Sequence, residues 1–252
     1  MTKSKIIKLE PNPQHFADNP DELEAEMFES AIPVQHTHLF YENDDIGLYI
    51  GLWDTLDMTE KAGAYGCDEF MVLLEGQCEI KACSTGDNDL VSKGESFIIP
   101  KGYDCQWLQK GYLKKYFVIS EHPNEIIPPA PSYGGIIKPA AINKDNSFKD
   151  VKVEEFLFIE DSHSRQHSDV CYVNNNSKFK VVNWKSTAFK SILAPITMNL
   201  FVYIHQGSIE VVDEFGIKQT FSAEDAFFIT EATICSWSSD DSVRLIYTAV
   251  KN

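Results

Sequence analysis

Short hydrophobic runs separated by turn residues dominate the chain from residue 46 onward. In the first half they read LYIGLW, EFMVLL, CEIKAC, SFIIP and KKYFVIS, and in the second half VEEFLFIE, KFKVVNW, NLFVYIH, SIEVVD, AFFIT and VRLIYTAV. No helical pattern of comparable strength lies between them. Many short strands at regular spacing predict an all-β sandwich or barrel.

Two stretches interrupt this pattern. Residues 1–45 are polar and contain several prolines, and Asn19-Pro20 followed by DELEAEMFE predicts one short acidic helix with the proline in its first turn. Residues 121–150 contain five prolines and Gly134-Gly135, which is typical of a linker or a surface arm. We therefore expect an N-terminal arm at 1–45, a first barrel at 46–120, a linker at 121–150 and a second barrel at 151–252.

The two halves repeat each other. At an offset of 131 residues EFMVLLEGQCEI overlies LFVYIHQGSIEV, and at an offset of 130 residues GESFIIP overlies EDAFFIT. The last strand is matched at 131, where KKYFVIS meets LIYTAVK. Four residue pairs mark these matches: Trp53 and Trp184, Gly76 and Gly207, Trp107 and Trp237, and Tyr116 and Tyr247. Such agreement in order and spacing predicts an internal duplication, with one barrel in each half.

Charge narrows the range of partners. The chain has 38 acidic and 22 basic side chains and a formal net charge of −16. A surface of that sign repels phosphate backbones and anionic lipid, so we expect neither nucleic acid nor a membrane as a partner. Six cysteines without a CxxC pair, and an N-terminus with no apolar signal-peptide core, favour a reduced, cytoplasmic protein. A homodimer is possible through exposed sheet edges.

The segments GCDEFMVLLEGQCEI and KGESFIIPKGYDCQWL resemble the motifs of the cupin superfamily. Glu69 and Gly76 have the spacing of the first motif. The second motif is matched by Gly94, Pro100 and Gly102, with Cys105 where the family has a histidine. The resemblance is to two-domain members of the branch that includes ureidoglycine aminohydrolase and the ethanolamine-utilisation cupin. It implies a jelly-roll barrel in each repeat, with an interior large enough for a small ligand.

The same resemblance raises the question of a metal, because many cupins hold iron, manganese or nickel with three histidines and one glutamate. In the first repeat the early histidine positions fall on Gly63 and Tyr65, or with the longer spacing on Ala62 and Ala64, and only Glu69 is kept. The corresponding positions of the second repeat are Ala194, Ile196, Leu200 and Cys235. We therefore expect no cofactor; the alternative is a divalent metal in the first barrel, held by Glu69 and Cys105, either alone or together with Cys67.

Glu69 is the principal candidate for a functional residue. In the family pattern it points into the barrel, where an unpaired carboxylate is costly, so it needs a hydrogen-bond partner, a raised pKa or a polar ligand. Tyr65, Cys105 and Trp107 are expected beside it, which predicts an aromatic-walled ligand pocket with one acid, Glu69 being the catalytic candidate.

Three functions are compatible with this reading. The first is a small-molecule-binding protein with a pocket in the first barrel and a degenerate second barrel. The second is an enzyme, either a metal-dependent hydrolase of the ureidoglycine aminohydrolase type or a metal-free isomerase or lyase with Glu69 as general base. The third is a structural protein in which both barrels are filled.

Overall fold

A computed structural model describes residues 6–121, 135–139, 149–150, 157, 159 and 164–251. The fold is all β, as the sequence predicts. Among the described residues no helix is long and apolar enough to cross a membrane. The predicted linker falls largely on residues 122–134 and 140–148, which lie outside the described residues.

The described strands follow the predicted runs closely, while the predicted run VEEFLFIE (153–160) lies largely outside the described residues. In the first half they are β1 (Ile6–Leu9), β2 (Gln35–Asn43), β3 (Leu48–Thr55), β4 (Met58–Thr59), β5 (Gly63–Ala64), β6 (Asp68–Glu75), β7 (Gln77–Ala82), β8 (Asn88–Ser92), β9 (Ser96–Ile99), β10 (Asp104–Gln109) and β11 (Leu113–Ser120). In the second half they are β12 (Lys149–Asp150), β13 (Gln166–Val173), β14 (Phe179–Ser186), β15 (Phe189–Lys190), β16 (Ala194–Pro195), β17 (Asn199–Gln206), β18 (Ser208–Asp213), β19 (Lys218–Ser222), β20 (Ala226–Ile229), β21 (Ile234–Ser239) and β22 (Val243–Val250).

The chain folds into two compact units, which we call the first barrel (residues 10–138) and the second barrel (residues 1–9 and 139–252). The first barrel has two antiparallel sheets, with strand orders β2-β3-β11-β6-β9 and β4-β10-β7-β8, and β5 pairs with β10. The second barrel repeats this arrangement as β1-β20-β17-β22-β14-β13-β12 and β15-β21-β18-β19, with β16 paired to β21. Each barrel has its own apolar core of strand residues.

A short segment of each half of the sequence packs in the barrel formed by the other half. β1 pairs with β20 of the second barrel, where Ile7 lies opposite Phe228. In the first barrel Ile137 forms the corresponding bridge to Ile98, with two backbone hydrogen bonds of 2.8 and 3.0 Å. The sequence Ile-Ile-Lys occurs at both places, at 6–8 and at 136–138. The limits of the compact units therefore differ from those of the sequence repeats.

The predicted acidic helix is wrong in extent. Only Ala25–Met27 form a 3₁₀ turn, and no side chain caps it. Asp21, which would belong to the first turn of the predicted helix, instead accepts hydrogen bonds from the backbone N–H of Thr37 at 3.1 Å and from its hydroxyl at 2.7 Å. These contacts hold the segment beside β2. The 3₁₀ turn buries no residue, so packing against the core does not favour a longer helix here. β2 itself lies within the predicted arm.

The match of the last strands is also corrected. Lys115 pairs with Trp53 across β11 and β3, whereas Leu245 pairs with Trp184 across β22 and β14. Lys115 therefore corresponds to Leu245 at an offset of 130 residues, and the match of Tyr116 to Tyr247 is wrong by one position. A shift of one residue along a strand reverses which face its side chains occupy. The corrected offset places Lys115 on the inner face of the first barrel.

Candidate functional site

The first barrel contains a cavity of about 330 Å³ between its two sheets. Its lining comes from β2, β3, β6, β10, β11 and the segment between β4 and β6. The lining residues are Gln35, Thr37, Leu39, Tyr49, Trp53, Glu60, Tyr65, Glu69, Trp107, Lys115, Phe117 and Ile119. One part of this wall carries two carboxyls, an ammonium and a phenol, while the remainder is mostly aliphatic and aromatic.

Glu69 and Lys115 form a buried ion pair at the polar end of the cavity. The ammonium Nζ of Lys115 lies 2.8 Å from Oε1 of Glu69, and the two side chains are 7% and 6% exposed. The other carboxylate oxygen, Oε2, accepts a hydrogen bond from the hydroxyl of Tyr65. Burial and the nearby Glu69 carboxylate raise the pKa of Tyr65 well above its ordinary value, which keeps the phenol protonated as a donor. Glu69 is therefore satisfied from both sides.

Two tryptophans flank the lysine. Nζ of Lys115 lies 4.7 Å from the ring centroid of Trp53 and 4.8 Å from that of Trp107. It is also 3.0 Å from Sδ of Met71. The negative π faces of the two rings stabilise the buried ammonium. The Trp107 indole is itself fixed, because its N–H donates to Oε1 of Gln109 at 3.1 Å.

Glu60 supplies the second carboxyl, and its side chain, unlike that of Glu69, has no hydrogen-bond or ion-pair partner among the described residues. Burial raises its pKa from 4.5 to about 7, Lys115 opposes the rise and the Glu69 charge adds to it. The backbone of Glu60 is held by the barrel: its N–H donates to the carbonyl of Trp107 at 3.0 Å, and its carbonyl accepts from Gln106 at 2.9 Å. A carboxyl with a pKa near 7 can exchange a proton at physiological pH.

The predicted site residues do not all share one cavity. Tyr65, Glu69 and Trp107 line the larger cavity, and Glu69 is buried, as a residue pointing into the barrel would be. Cys105 lines a smaller cavity of about 150 Å³, which shares Glu60, Tyr65 and Trp107 with the larger one. Burial raises the pKa of the Cys105 thiol to about 12, so it remains a neutral thiol.

A cupin metal does not fit the donor set of the first barrel. Among the described residues no group of three or more histidine, cysteine or acidic side chains is placed to hold a metal ion. At the family's ligand positions Glu69 is already paired with an ammonium and a phenol, and Tyr65 donates its hydrogen bond to that same carboxylate. Cys105 lines the other cavity. The ammonium of Lys115 supplies a positive charge beside the carboxylate that would otherwise ligate a metal.

The second barrel replaces this polar cluster with mostly apolar side chains. Matching hydrogen bonds and strand pairs relate the two sets of positions. The counterparts of Glu60, Tyr65, Glu69 and Lys115 are Ser191, Ile196, Leu200 and Leu245. The three aliphatic residues are at most 3% exposed and belong to one continuous core with Trp184 and Trp237. Both tryptophans of the first barrel are thus kept, but the charges between them are not.

Sequence reasoning missed Glu60 and Lys115. Lys115 alternates with Leu113 and Phe117 along β11, so a charge on an inward-facing position was visible once the strand was correctly matched. The sequence offers no comparable signal for Glu60, which follows a two-residue strand and matches Ser191. Its position depends on the backbone contact with Trp107.

The chain is similar in structure to known cupins. A crystal structure of a protein of unknown function of the DUF861 family from Pseudomonas syringae pv. tomato matches with a TM-score of 0.74 and 17% identity, covering 98% of this chain and 100% of that one. A cupin 2 conserved barrel domain protein from Leptotrichia buccalis matches with a TM-score of 0.58 and 13% identity over 88% and 91%.

A salicylate 1,2-dioxygenase from Pseudaminobacter salicylatoxidans matches with a TM-score of 0.51 and 11% identity, covering 81% of this chain and 71% of that one. No family model and no curated protein sequence matches the chain. At such low identities the similarity describes the fold and not the activity. The chain has the cupin fold.

Proposed function

We propose that the first barrel binds a small molecule in its cavity and that the second barrel is a degenerate copy with a structural role. The observation that carries the proposal is the contrast between equivalent positions: Glu69 and Lys115 border an open cavity, whereas Leu200 and Leu245 are packed into a continuous core. A buried ion pair contributes little net stability compared with well-packed apolar residues. Retaining one beside a cavity therefore favours a ligand-related role over a structural one.

The shape and polarity of the cavity suit a compact molecule with a polar group and an apolar body. Its volume of about 330 Å³ lies at the lower end of the range of small-ligand sites. The polar group would face Glu60, Tyr65 and Lys115, and the apolar body would lie against Phe117 and Ile119. A protein with both barrels filled would not need this lining.

Metal-free acid–base catalysis is a second candidate, and Glu60 is the observation that favours it. Its pKa of about 7 allows it both to donate and to accept a proton, whereas Glu69 is held by Lys115 and Tyr65. Glu60 is therefore a better general base than Glu69, for which the sequence argued. A metal-dependent hydrolase is not proposed, because the donor set does not fit. The resemblance to the ureidoglycine aminohydrolase branch, the homodimer and the cytoplasmic location stay predictions.

The binding proposal is tested by a thermal-shift screen of small polar metabolites on the purified protein. Each ligand found is then titrated calorimetrically against Lys115→Met and against Leu245→Met, which places the same side chain at the equivalent position of the second barrel. We expect Lys115→Met, which removes the charge that balances Glu69, to change the affinity at least tenfold and Leu245→Met to leave it unchanged. Ligands whose affinity changes only in Leu245→Met, and not in Lys115→Met, would overturn the proposal.

A further inference from the structure

We propose that the occupant of the first-barrel cavity is an organic monocation, such as a primary ammonium compound, whose charge pairs with the carboxylate of Glu60. This inference rests on the proposed function, since it names the ligand class of the same cavity. The charges that the cavity already contains determine which additional charge completes them.

The charged side chains of the cavity wall are two acids and one base. Glu69 and Lys115 neutralise each other across 2.8 Å. The ammonium is further enclosed by the rings of Trp53 and Trp107, so it does not require an anionic ligand. With Glu60 ionised, the cluster carries one uncompensated negative charge. An uncompensated charge in a buried site is unfavourable, and either a proton or a cation removes it.

The carboxyl of Glu60 is free to take such a partner. The hydrogen bonds of this residue among the described residues are made by its backbone N–H and C=O groups. Its side chain lines both cavities and so faces the space that a ligand would occupy. The raised pKa reflects this lack of partners, because burial is its largest cause.

The surroundings of Glu60 select an organic cation. The rings of Tyr65 and Trp107 line both cavities beside it, and aromatic faces attract cations. The formal net charge of −16 raises the local concentration of cations and repels anions. A metal ion would lack ligands, since no suitable group of donors is present among the described residues. The apolar wall at Phe117 and Ile119 instead suits a hydrocarbon body.

The inference predicts a pH dependence. A cation pairs with the ionised form of Glu60, so binding is strongest above pH 7 and weakens as Glu60 takes up its proton. Between pH 8 and pH 6 the affinity should fall roughly tenfold. The titratable and charged groups that face Glu60 from the neighbouring elements are Lys115 and Glu69, which pair with each other, Lys61, and Tyr65 and Cys105, whose protons are retained because of burial.

The test compares three ligands of nearly equal size: benzylamine, which is protonated over this pH range, benzyl alcohol, which is neutral, and benzoate, which is an anion. Binding to the full chain is measured by isothermal titration calorimetry at pH 6 and pH 8. We expect benzylammonium to bind at least tenfold more tightly than either analogue at pH 8, and to lose that advantage in Glu60→Gln. Glu29→Gln removes one exposed acid of the first barrel and should leave binding unchanged.

Circular dichroism checks that Glu60→Gln folds, and the pH dependence of the wild-type protein tests the same point without a variant. If benzyl alcohol or benzoate binds equally well in this cavity, the proposed function stands and the cation inference is wrong. If none of the three binds, the cation inference is also wrong, and the proposed function is then judged separately by the metabolite screen. Benzylammonium binding that Glu29→Gln weakens as much as Glu60→Gln would indicate a non-specific effect of net charge and overturn the inference.

Discussion

Removing the buried ion pair one residue at a time should cost far more than removing both residues together. The second barrel shows what the double replacement looks like, because Leu200 and Leu245 stand where Glu69 and Lys115 stand in the first barrel. We therefore consider Glu69→Leu, Lys115→Leu and the double variant. Each single variant leaves one charge in a site where the two side chains are only 7% and 6% exposed.

The expected magnitudes follow from burial. Removing one partner of a buried pair costs about 3–5 kcal/mol, so two independent effects would sum to about 6–10 kcal/mol. In the double variant no uncompensated charge remains, and each leucine gains about 1.5–3 kcal/mol from burial. Tyr65 loses its acceptor, at a cost of about 1 kcal/mol. We expect the double variant to lie within about 2 kcal/mol of the wild type, which implies a coupling energy of at least about 4 kcal/mol.

Equilibrium unfolding in urea, followed by tryptophan fluorescence, provides the free energies of unfolding of the wild type, the two single variants and the double variant, which together form a double-mutant cycle. Two barrels can unfold in two transitions, so the transition of the first barrel is identified by its response to these variants, and Leu200→Ala serves as a marker for the second. Single-variant effects that simply add in the double variant, within about 0.5 kcal/mol, would refute the assignment of Glu69 and Lys115 as a mutually dependent buried pair.

Three further predictions concern the two barrels separately. The pKa of Glu60 is raised from 4.5 to about 7, so the stability of the first barrel should fall by as much as about 3 kcal/mol as pH rises from 4.5 through 7; urea unfolding of Glu60→Gln should lack that fall. Burial lowers the pKa of His205 from 6.5 to about 4, so the second barrel should lose stability as pH falls below 6.5, and acid titration of His205→Gln should show a smaller loss. Gly76 and Gly207 have φ of 78° and 83°, and a Cβ at either would meet a backbone carbonyl oxygen. Substitution of either by alanine should therefore lower the free energy of unfolding by at least about 2 kcal/mol, measured by thermal unfolding. At Gly94 φ is 85° but the space is open, so Gly94→Ala should cost only about 1 kcal/mol.

Much of the fold could be predicted because strands and turns leave local signals. Alternating burial along β7, for example, follows directly from the alternation in QCEIKA. The acidic helix was wrong because a tertiary contact, from Asp21 to Thr37, overrides a weak local preference. The position of β1 in the second barrel could not be derived from hydrophobic pattern alone, although the repeated Ile-Ile-Lys was a usable signal.

The candidate site was only partly predictable. Glu69, Tyr65 and Trp107 do line one cavity, since a family motif relates their spacing to the barrel interior. Cys105 does not share that cavity but lines the smaller one, together with Tyr65 and Trp107. Lys115 was hidden by an error of one residue in matching the last strands. Such an error leaves the predicted strand intact while reversing its faces.

The central claim is that a ligand enters the first barrel and not the second, and the four tryptophans report on it directly. Trp53 and Trp107 line the first cavity, while Trp184 and Trp237 lie in the second core. We would record the indole N–H signals of protein labelled with ¹⁵N-tryptophan, assigned by single tryptophan-to-phenylalanine variants, during titration with benzylamine and the hits of the metabolite screen. We expect concentration-dependent shifts of the Trp53 and Trp107 signals, with the signals of Trp184 and Trp237 unchanged. Shifts confined to Trp184 and Trp237, or no shift for any ligand that binds, would contradict the claim.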